Sequence, residues 1–261
     1  YQGGIVMTWA ALALWVCGSL LILLFPLLGV EAKNIAAYSI IAQILSPGLA
    51  GVLCFNAAKS FPESHEMRKG WMLLGIGVLL WSFGAVLYSL YPLINDGKET
   101  PYPWFSDVGY LLMYLPCLLA FIFFKQYLNV KVPYWGILLS IIVFCITLVV
   151  AVSLNLEKLG ESDSVLIYLV TLTYVLGDPI LLSSIIIIAS VLGGAKQAYP
   201  WWFVLAGFIS FYAANVTYTY LTLAGRYSSG HLIDIGWILG FGLIATAAIM
   251  ARSLMNNEHQ G

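Results

Sequence analysis

Long runs of hydrophobic residues alternate with short polar stretches along the whole chain. A membrane-spanning helix needs roughly 20 mostly apolar residues, and eight segments meet that requirement: about 5–30, 36–58, 71–92, 104–125, 133–155, 164–192, 201–224 and 231–253. The polar stretches between them are too short to fold as a separate domain. The pattern therefore predicts an all-α protein, a polytopic membrane helical bundle with about eight transmembrane helices, and a single integral membrane domain over residues 1–261.

Composition and charge agree with a membrane protein. Hydrophobic residues make up 61% of the chain and charged residues 9%, whereas a soluble domain carries about 25% charged residues. The formal net charge of −1 gives no reason to expect nucleic acid as a partner. The four cysteines all fall within apolar runs, where cysteine behaves as a small hydrophobe, so we expect neither a disulfide framework nor a thiolate metal site.

The distribution of Lys and Arg predicts the orientation of the bundle, because short cytoplasmic loops carry an excess of these residues. One side collects seven of them: Lys59, Arg68, Lys69, Lys125, Lys131, Lys196 and Arg252. The other side holds four: Lys33, Lys98, Lys158 and Arg226. The first side is therefore expected to face the cytoplasm, and both termini lie there as well.

Three aspartates lie inside predicted spans. A carboxylate in hydrocarbon is costly, so it marks a cavity, a relay or a tight hydrogen-bonded contact. Asp107 and Asp234 open matching phrases of the form Asp-x-Gly-aromatic, which indicates a weak repeat of helical hairpins. Asp178 lies deeper in its span and precedes Pro179, a residue that removes a backbone hydrogen bond.

Helical spacing places several polar and aromatic side chains together. Asp107, Tyr110 and Tyr114 are spaced i, i+3 and i+7 and share one helix face, and Tyr174 and Tyr218 are expected to converge on Asp178. We predict an outward-facing pocket with aromatic walls, which suits a cationic or hydrogen-bonding organic ligand. Its predicted lining residues are Trp81, Tyr88, Asp107, Tyr110, Tyr114, Tyr174, Asp178, Asn215, Tyr218, Asp234 and Trp237. The alternative is a polar core that only holds the helices in register.

Patterns typical of enzymes and cofactor proteins are not found in the sequence. It contains no HExxH, GxSxG or P-loop motif. No span carries a histidine pair suited to haem, and no lysine lies at a helix midplane where a retinal Schiff base would form. His231 lies one turn before Asp234, but a metal would need a third ligand. We therefore expect no cofactor and no catalytic activity.

Five stretches carry a resemblance to a known group of proteins: residues 68–75, 81–84, 102–116, 177–179 and 234–237. Together they resemble the multi-helix membrane regions that precede GGDEF/EAL or histidine-kinase domains in bacterial and archaeal signalling proteins. That group often has Gly-Asp in its third helix, whereas in this chain Gly84 is followed by Ala85.

The resemblance implies a sensory or ligand-binding input module for signal transduction in a prokaryotic plasma membrane. The implied partners are the lipid bilayer, an unidentified small molecule or cation, and a cytoplasmic output domain or a partner kinase or cyclase. A homodimer is compatible with this arrangement. The alternative function is a small secondary transporter or channel in which Asp178 carries a proton or cation.

Overall fold

The computed structural model describes residues 2–96, 98–160, 164–192 and 199–258, and these residues form helices without any strand. The helices are α1 (Gln2–Leu27), α2 (Ala32–Ala58), α3 (Glu66–Ile94), α4 (Phe105–Leu112), α5 (Tyr114–Leu128), α6 (Tyr134–Gly160), α7 (Val165–Leu192), α8 (Tyr199–Leu223) and α9 (Asp234–Glu258). The all-α prediction is confirmed.

In the part of the chain that the structure describes, seven helical segments are long and apolar enough to cross a membrane: α1, α2, α3, α4 with α5, α6, α7 and α9. α4 and α5 form one such segment, interrupted at Met113. Pro116 explains the interruption, because it has no N–H to donate to the carbonyl of Leu112. α8 is 25 residues long and is not among the seven, since its Asn, Thr and Tyr residues lower its mean hydropathy. The structure thus supports a multi-pass membrane protein with seven to eight spans.

Successive spans run in opposite directions, so each end of the bundle collects alternate helix termini. We call the end at which α3 ends and α4 begins the cavity end. α1 begins and α9 ends at the opposite end. The two predicted sets of Lys and Arg also separate between these ends, apart from Lys196, which lies outside the described residues.

A core of aromatic rings fills the bundle on the side away from the cavity end. The rings of Trp71, Phe124 and Trp201 pack with centroid distances of 4.3–5.9 Å. Nearer the cavity end, Phe241 packs against Trp81 at 4.8 Å and Phe211 at 5.6 Å between centroids. These rings are buried and pack beneath the polar part of the bundle.

Close helix approach at glycine brings α4 against α3. A Cβ atom added at Gly109 would lie 2.6 Å from the backbone nitrogen of Gly84, so any side chain there would force the helices apart. Gly236 has the same role on α9, where an added Cβ would lie 2.8 Å from Cβ of Ala214 on α8. Small residues at such positions let membrane helices pack closely, as expected from the two Asp-x-Gly phrases.

We predict that Gly109→Ala lowers the free energy of unfolding by about 1–3 kcal/mol, the usual cost of overpacking. Gly160→Ala is the matched control, because no atom lies within 4 Å of an added Cβ there. Both substitutions raise helix propensity, and only the first creates a clash. The measurement is reversible unfolding in detergent, and equal stability of the two variants would contradict the close α3–α4 contact.

Candidate functional site

A cavity of about 230 Å³ lies between the helices at the cavity end. Ten of the eleven predicted site residues line it: Trp81, Tyr88, Asp107, Tyr110, Tyr114, Tyr174, Asp178, Asn215, Tyr218 and Trp237. The eleventh, Asp234, is fully buried elsewhere and does not line it. The structure therefore brings together side chains from α3, α4, α5, α7, α8 and α9 around one space.

Asp107 caps α4 and also contacts α7. One carboxylate oxygen accepts a hydrogen bond from the backbone N–H of Trp104 at 2.7 Å, and the other accepts one from the Tyr174 hydroxyl at 2.6 Å. A carboxylate in the first turn is further stabilised by the helix dipole. Asp107 is only 8% exposed, so its main effect is to hold α4 against α7 at the wall of the cavity.

Asp178 lies deeper along α7 and is half-buried. Its two oxygens accept hydrogen bonds from the Tyr114 hydroxyl at 2.7 Å and from the Asn215 amide at 2.8 Å. The expectation that Tyr174 and Tyr218 converge on Asp178 is wrong: Tyr174 donates to Asp107, and the ring of Tyr218 packs against Tyr227 and Trp237. Tyr174 lies about one turn nearer the cavity end than Asp178, and this puts its hydroxyl level with Asp107.

These contacts form a reciprocal arrangement, which we call the Tyr–Asp clasp: Asp107, Tyr114, Tyr174 and Asp178. The α4–α5 segment supplies one aspartate and one tyrosine, and α7 supplies the other pair. The rings of Tyr114 and Tyr174 lie edge to face, with 6.4 Å between centroids. Each helix therefore donates to the carboxylate of the other, and both aspartates are satisfied within the protein.

A chain of hydrogen bonds continues from Asp178 across the bundle. The indole N–H of Trp237 donates to the side-chain oxygen of Asn215 at 2.8 Å, and the amide nitrogen of Asn215 donates to Asp178. With Tyr114 these residues form what we call the Asp178 chain: Tyr114, Asp178, Asn215 and Trp237. It joins α5, α7, α8 and α9 side by side along the cavity.

Asp234 belongs to a separate buried cluster at the start of α9. It accepts hydrogen bonds from the Ser39 hydroxyl at 2.5 Å, the Gly230 backbone N–H at 2.8 Å and the Tyr227 hydroxyl at 3.1 Å. Burial and the neighbouring Asp234 carboxylate raise the pKa of Tyr227, so this hydroxyl remains a donor. Gln43 donates to Ser39 at 3.0 Å, and both Gln43 and Tyr227 reach the cavity.

The structure does not assemble a metal site around His231 and Asp234. The ring nitrogen Nδ1 of His231 accepts a hydrogen bond from the backbone N–H of Ile233, and the Asp234 carboxylate is already used. Within the part of the chain that the structure describes, no group of three or more His, Cys, Asp or Glu residues is placed to hold a metal ion.

Several cavity residues were missed by sequence reasoning, chiefly Lys158 and Tyr102. The Lys158 ammonium lies 4.2 Å from the centroid of the Tyr102 ring, and the Tyr102 hydroxyl lies 2.8 Å from the Thr171 hydroxyl. The sequence placed Lys158 in a loop after residue 155, but α6 continues to Gly160. Asn155 and Lys158 are spaced i and i+3 and therefore share one helix face. This spacing was the feature of the sequence that could have identified them as cavity residues.

Aromatic rings form much of the cavity wall. Trp81 packs against Tyr110 with 5.1 Å between centroids, and Tyr218 packs against Tyr227 at 4.7 Å and Trp237 at 5.5 Å. Among the described residues, no hydrogen-bond partner is recorded for the hydroxyl of Tyr110, which lines the cavity. The wall thus offers ring faces for a cation or an apolar group and hydroxyls for hydrogen bonding.

No family model, curated protein or solved structure matches the chain. The resemblance to membrane regions of signalling proteins therefore stays a prediction.

We predict that Asp234→Ala lowers the free energy of unfolding by at least about 2 kcal/mol, because three donors lose their buried acceptor. Ser39→Ala should cost about 1 kcal/mol, since it removes one of those bonds. Glu63→Ala, at a carboxylate with a 91% exposed side chain, is the control and should be near neutral. If Asp234→Ala behaved like Glu63→Ala in thermal or denaturant unfolding, the buried cluster would not stabilise the start of α9.

Proposed function

We propose that this protein is a membrane sensory or ligand-binding input module that takes a small organic or cationic molecule into its cavity. The observation that carries the proposal is the Asp178 chain, which lines the cavity and also joins four helices. Any ligand that reaches Asp178 competes for hydrogen bonds that hold those helices together. Binding and helix arrangement are therefore coupled through the same side chains.

The cavity has the features of a preformed binding site. Its volume of about 230 Å³ is smaller than the roughly 300–1,000 Å³ of pockets for drug-sized ligands, which favours a small molecule. Its carboxylates are held in place by the Tyr–Asp clasp, so little ordering is needed on binding. Asp178 is half-buried, and each of its oxygens has capacity for a further hydrogen bond.

A route for the signal follows from α9. Trp237 contacts the Asp178 chain near the start of α9, and the helix then continues from Asp234 to Glu258 at the opposite end of the bundle. A ligand shifts such a helix only if it binds two arrangements of the helices with different affinities. A ligand that competes for the hydrogen bonds of Asp178 or Asn215 would provide such a difference. The resemblance implies an output domain or a partner kinase or cyclase on the cytoplasmic side, which we propose is at that end.

The alternative is a secondary transporter in which Asp178 carries a proton or cation. The rings of Trp81, Phe211 and Phe241 pack against one another below the cavity, so a solute that passed between them would have to displace them. A transporter would have to separate these rings in each cycle, whereas a sensor needs only a shift of α7, α8 and α9. The packing favours sensing.

We predict that Asp178→Asn weakens ligand binding at least tenfold while the protein remains folded, because an amide can still pair with Tyr114 and Asn215. The measurement is thermal stabilisation of the purified chain by a panel of small amines, quaternary ammonium compounds and amino acids. Asp96→Asn, at an exposed loop carboxylate, is the matched control and should bind as the unaltered chain does.

Flux in proteoliposomes separates the two functions. For a sensor, we expect no uptake of the stabilising compound above that of empty liposomes. Uptake that depends on Asp178 would favour the transporter, and a panel in which no compound stabilises the unaltered chain would contradict ligand binding altogether.

A further inference from the structure

We infer that the ligand of the cavity is a small zwitterion, with its ammonium group at Asp178 and its carboxylate at Lys158. This inference rests on the proposed binding function and adds the chemical class of the ligand. The cavity is lined by charged groups of both signs, Asp107 and Asp178 on one hand and Lys158 on the other. A ligand that carries both charges can pair directly with Asp178 and with Lys158 at the same time.

The two aspartates differ in what they still offer to a ligand. Asp107 is 8% exposed, and its oxygens are used by the Trp104 backbone N–H and by Tyr174. Asp178 is half-buried and accepts one hydrogen bond at each oxygen, whereas a carboxylate has about four lone-pair sites. Asp178 is therefore the carboxylate that is better placed to accept from an ammonium group.

Lys158 offers the complementary charge. Its ammonium has three N–H donors and lies over the face of the Tyr102 ring. The Asp107 and Glu157 carboxylates are near enough to act on its charge, but neither forms a direct ion pair with it in the described part of the chain. A carboxylate on the ligand would supply that partner while Tyr102 holds the lysine in position.

The distance between the two charges along the bundle axis is derived from the positions on α7 that mark each of them. Lys158 lies against Tyr102, whose hydroxyl is at the level of Thr171, and Asp178 is seven residues further along α7. At 1.5 Å per residue these levels are about 10 Å apart. Two charge-assisted hydrogen bonds of about 2.8 Å take up roughly 5.6 Å of that distance, which leaves about 4–5 Å between the ammonium and carboxylate groups. In an α-amino acid the two groups are closer together than this, whereas an amino acid with methylene groups between them, such as γ-aminobutyrate, spans the distance.

Rings lie around the space between the two charged ends. Tyr110, Tyr218 and Trp237 line the cavity, and their faces suit either the side chain of an amino acid or a methylated ammonium group. A cation without a carboxylate would meet the positive charge of Lys158, and an anion without an ammonium group would meet Asp178. The arrangement thus selects for both charges on one molecule.

The test is isothermal titration of the full chain in lipid nanodiscs with matched probes. The zwitterions are the twenty L-amino acids, γ-aminobutyrate and glycine betaine. For each amino acid that binds, the amine lacking its carboxylate and the acid lacking its amino group are titrated too, and choline serves as a cation without a carboxylate. We expect at least one zwitterion to bind at least tenfold more tightly than its amine and its acid.

Two substitutions locate the charges. Lys158→Gln should weaken the zwitterion at least tenfold without weakening the amine, and Asp178→Asn should weaken the zwitterion without weakening the acid. Lys98→Gln, at an exposed lysine of the same end of the bundle, is the control and should have no effect. A zwitterion whose affinity is insensitive to Lys158→Gln would overturn the inference.

The remaining outcomes separate this inference from the proposed function. If choline or a simple amine bound as tightly as any zwitterion, the zwitterion inference would fail and the binding function would stand. If no probe of any charge bound, both would fail.

Discussion

A carboxylate inside a membrane-spanning segment must find its hydrogen bonds within the protein, because lipid offers none. The three aspartates within the predicted spans meet that constraint in the same way, by accepting from donors on other elements. Asp107 accepts from α7, Asp178 from α5 and α8, and Asp234 from α2 and from the loop before α9. These requirements hold the polar end of the bundle together, where apolar packing alone would provide little specificity.

The same requirement has two different consequences. Around Asp234 the donors surround the carboxylate completely, and the residue is fully buried, so the cluster stabilises one arrangement. Around Asp178 the donors leave part of the carboxylate facing a cavity, so a ligand can compete with them. The matching Asp-x-Gly phrases begin α4 and α9 alike, but the neighbouring elements decide whether each carboxylate lines the cavity or is sealed from it.

Much of the bundle could be predicted from the sequence, because helix length and the residues that share a helix face depend on residues close together in the chain. Helix length follows from the length of each apolar run, and the shared face of Asp107, Tyr110 and Tyr114 follows from helical spacing. The partners could not be predicted, because Tyr174 reaches Asp107 only when α7 lies beside α4 at one particular height. Lys158 was missed for a related reason: a helix terminus depends on the packing of its last turn, which local composition does not reveal.

The Asp178 chain is expected to act as one unit across four helices, and both binding and signalling depend on it. Tyr114 and Trp237 lie at its two ends, and their hydrogen bonds meet only through Asp178 and Asn215. A double-mutant cycle of Tyr114→Phe and Trp237→Phe, measured by reversible unfolding, tests this directly. We expect a coupling energy above about 0.5 kcal/mol, whereas effects that add within about 0.3 kcal/mol, as for independent sites, would contradict the claim.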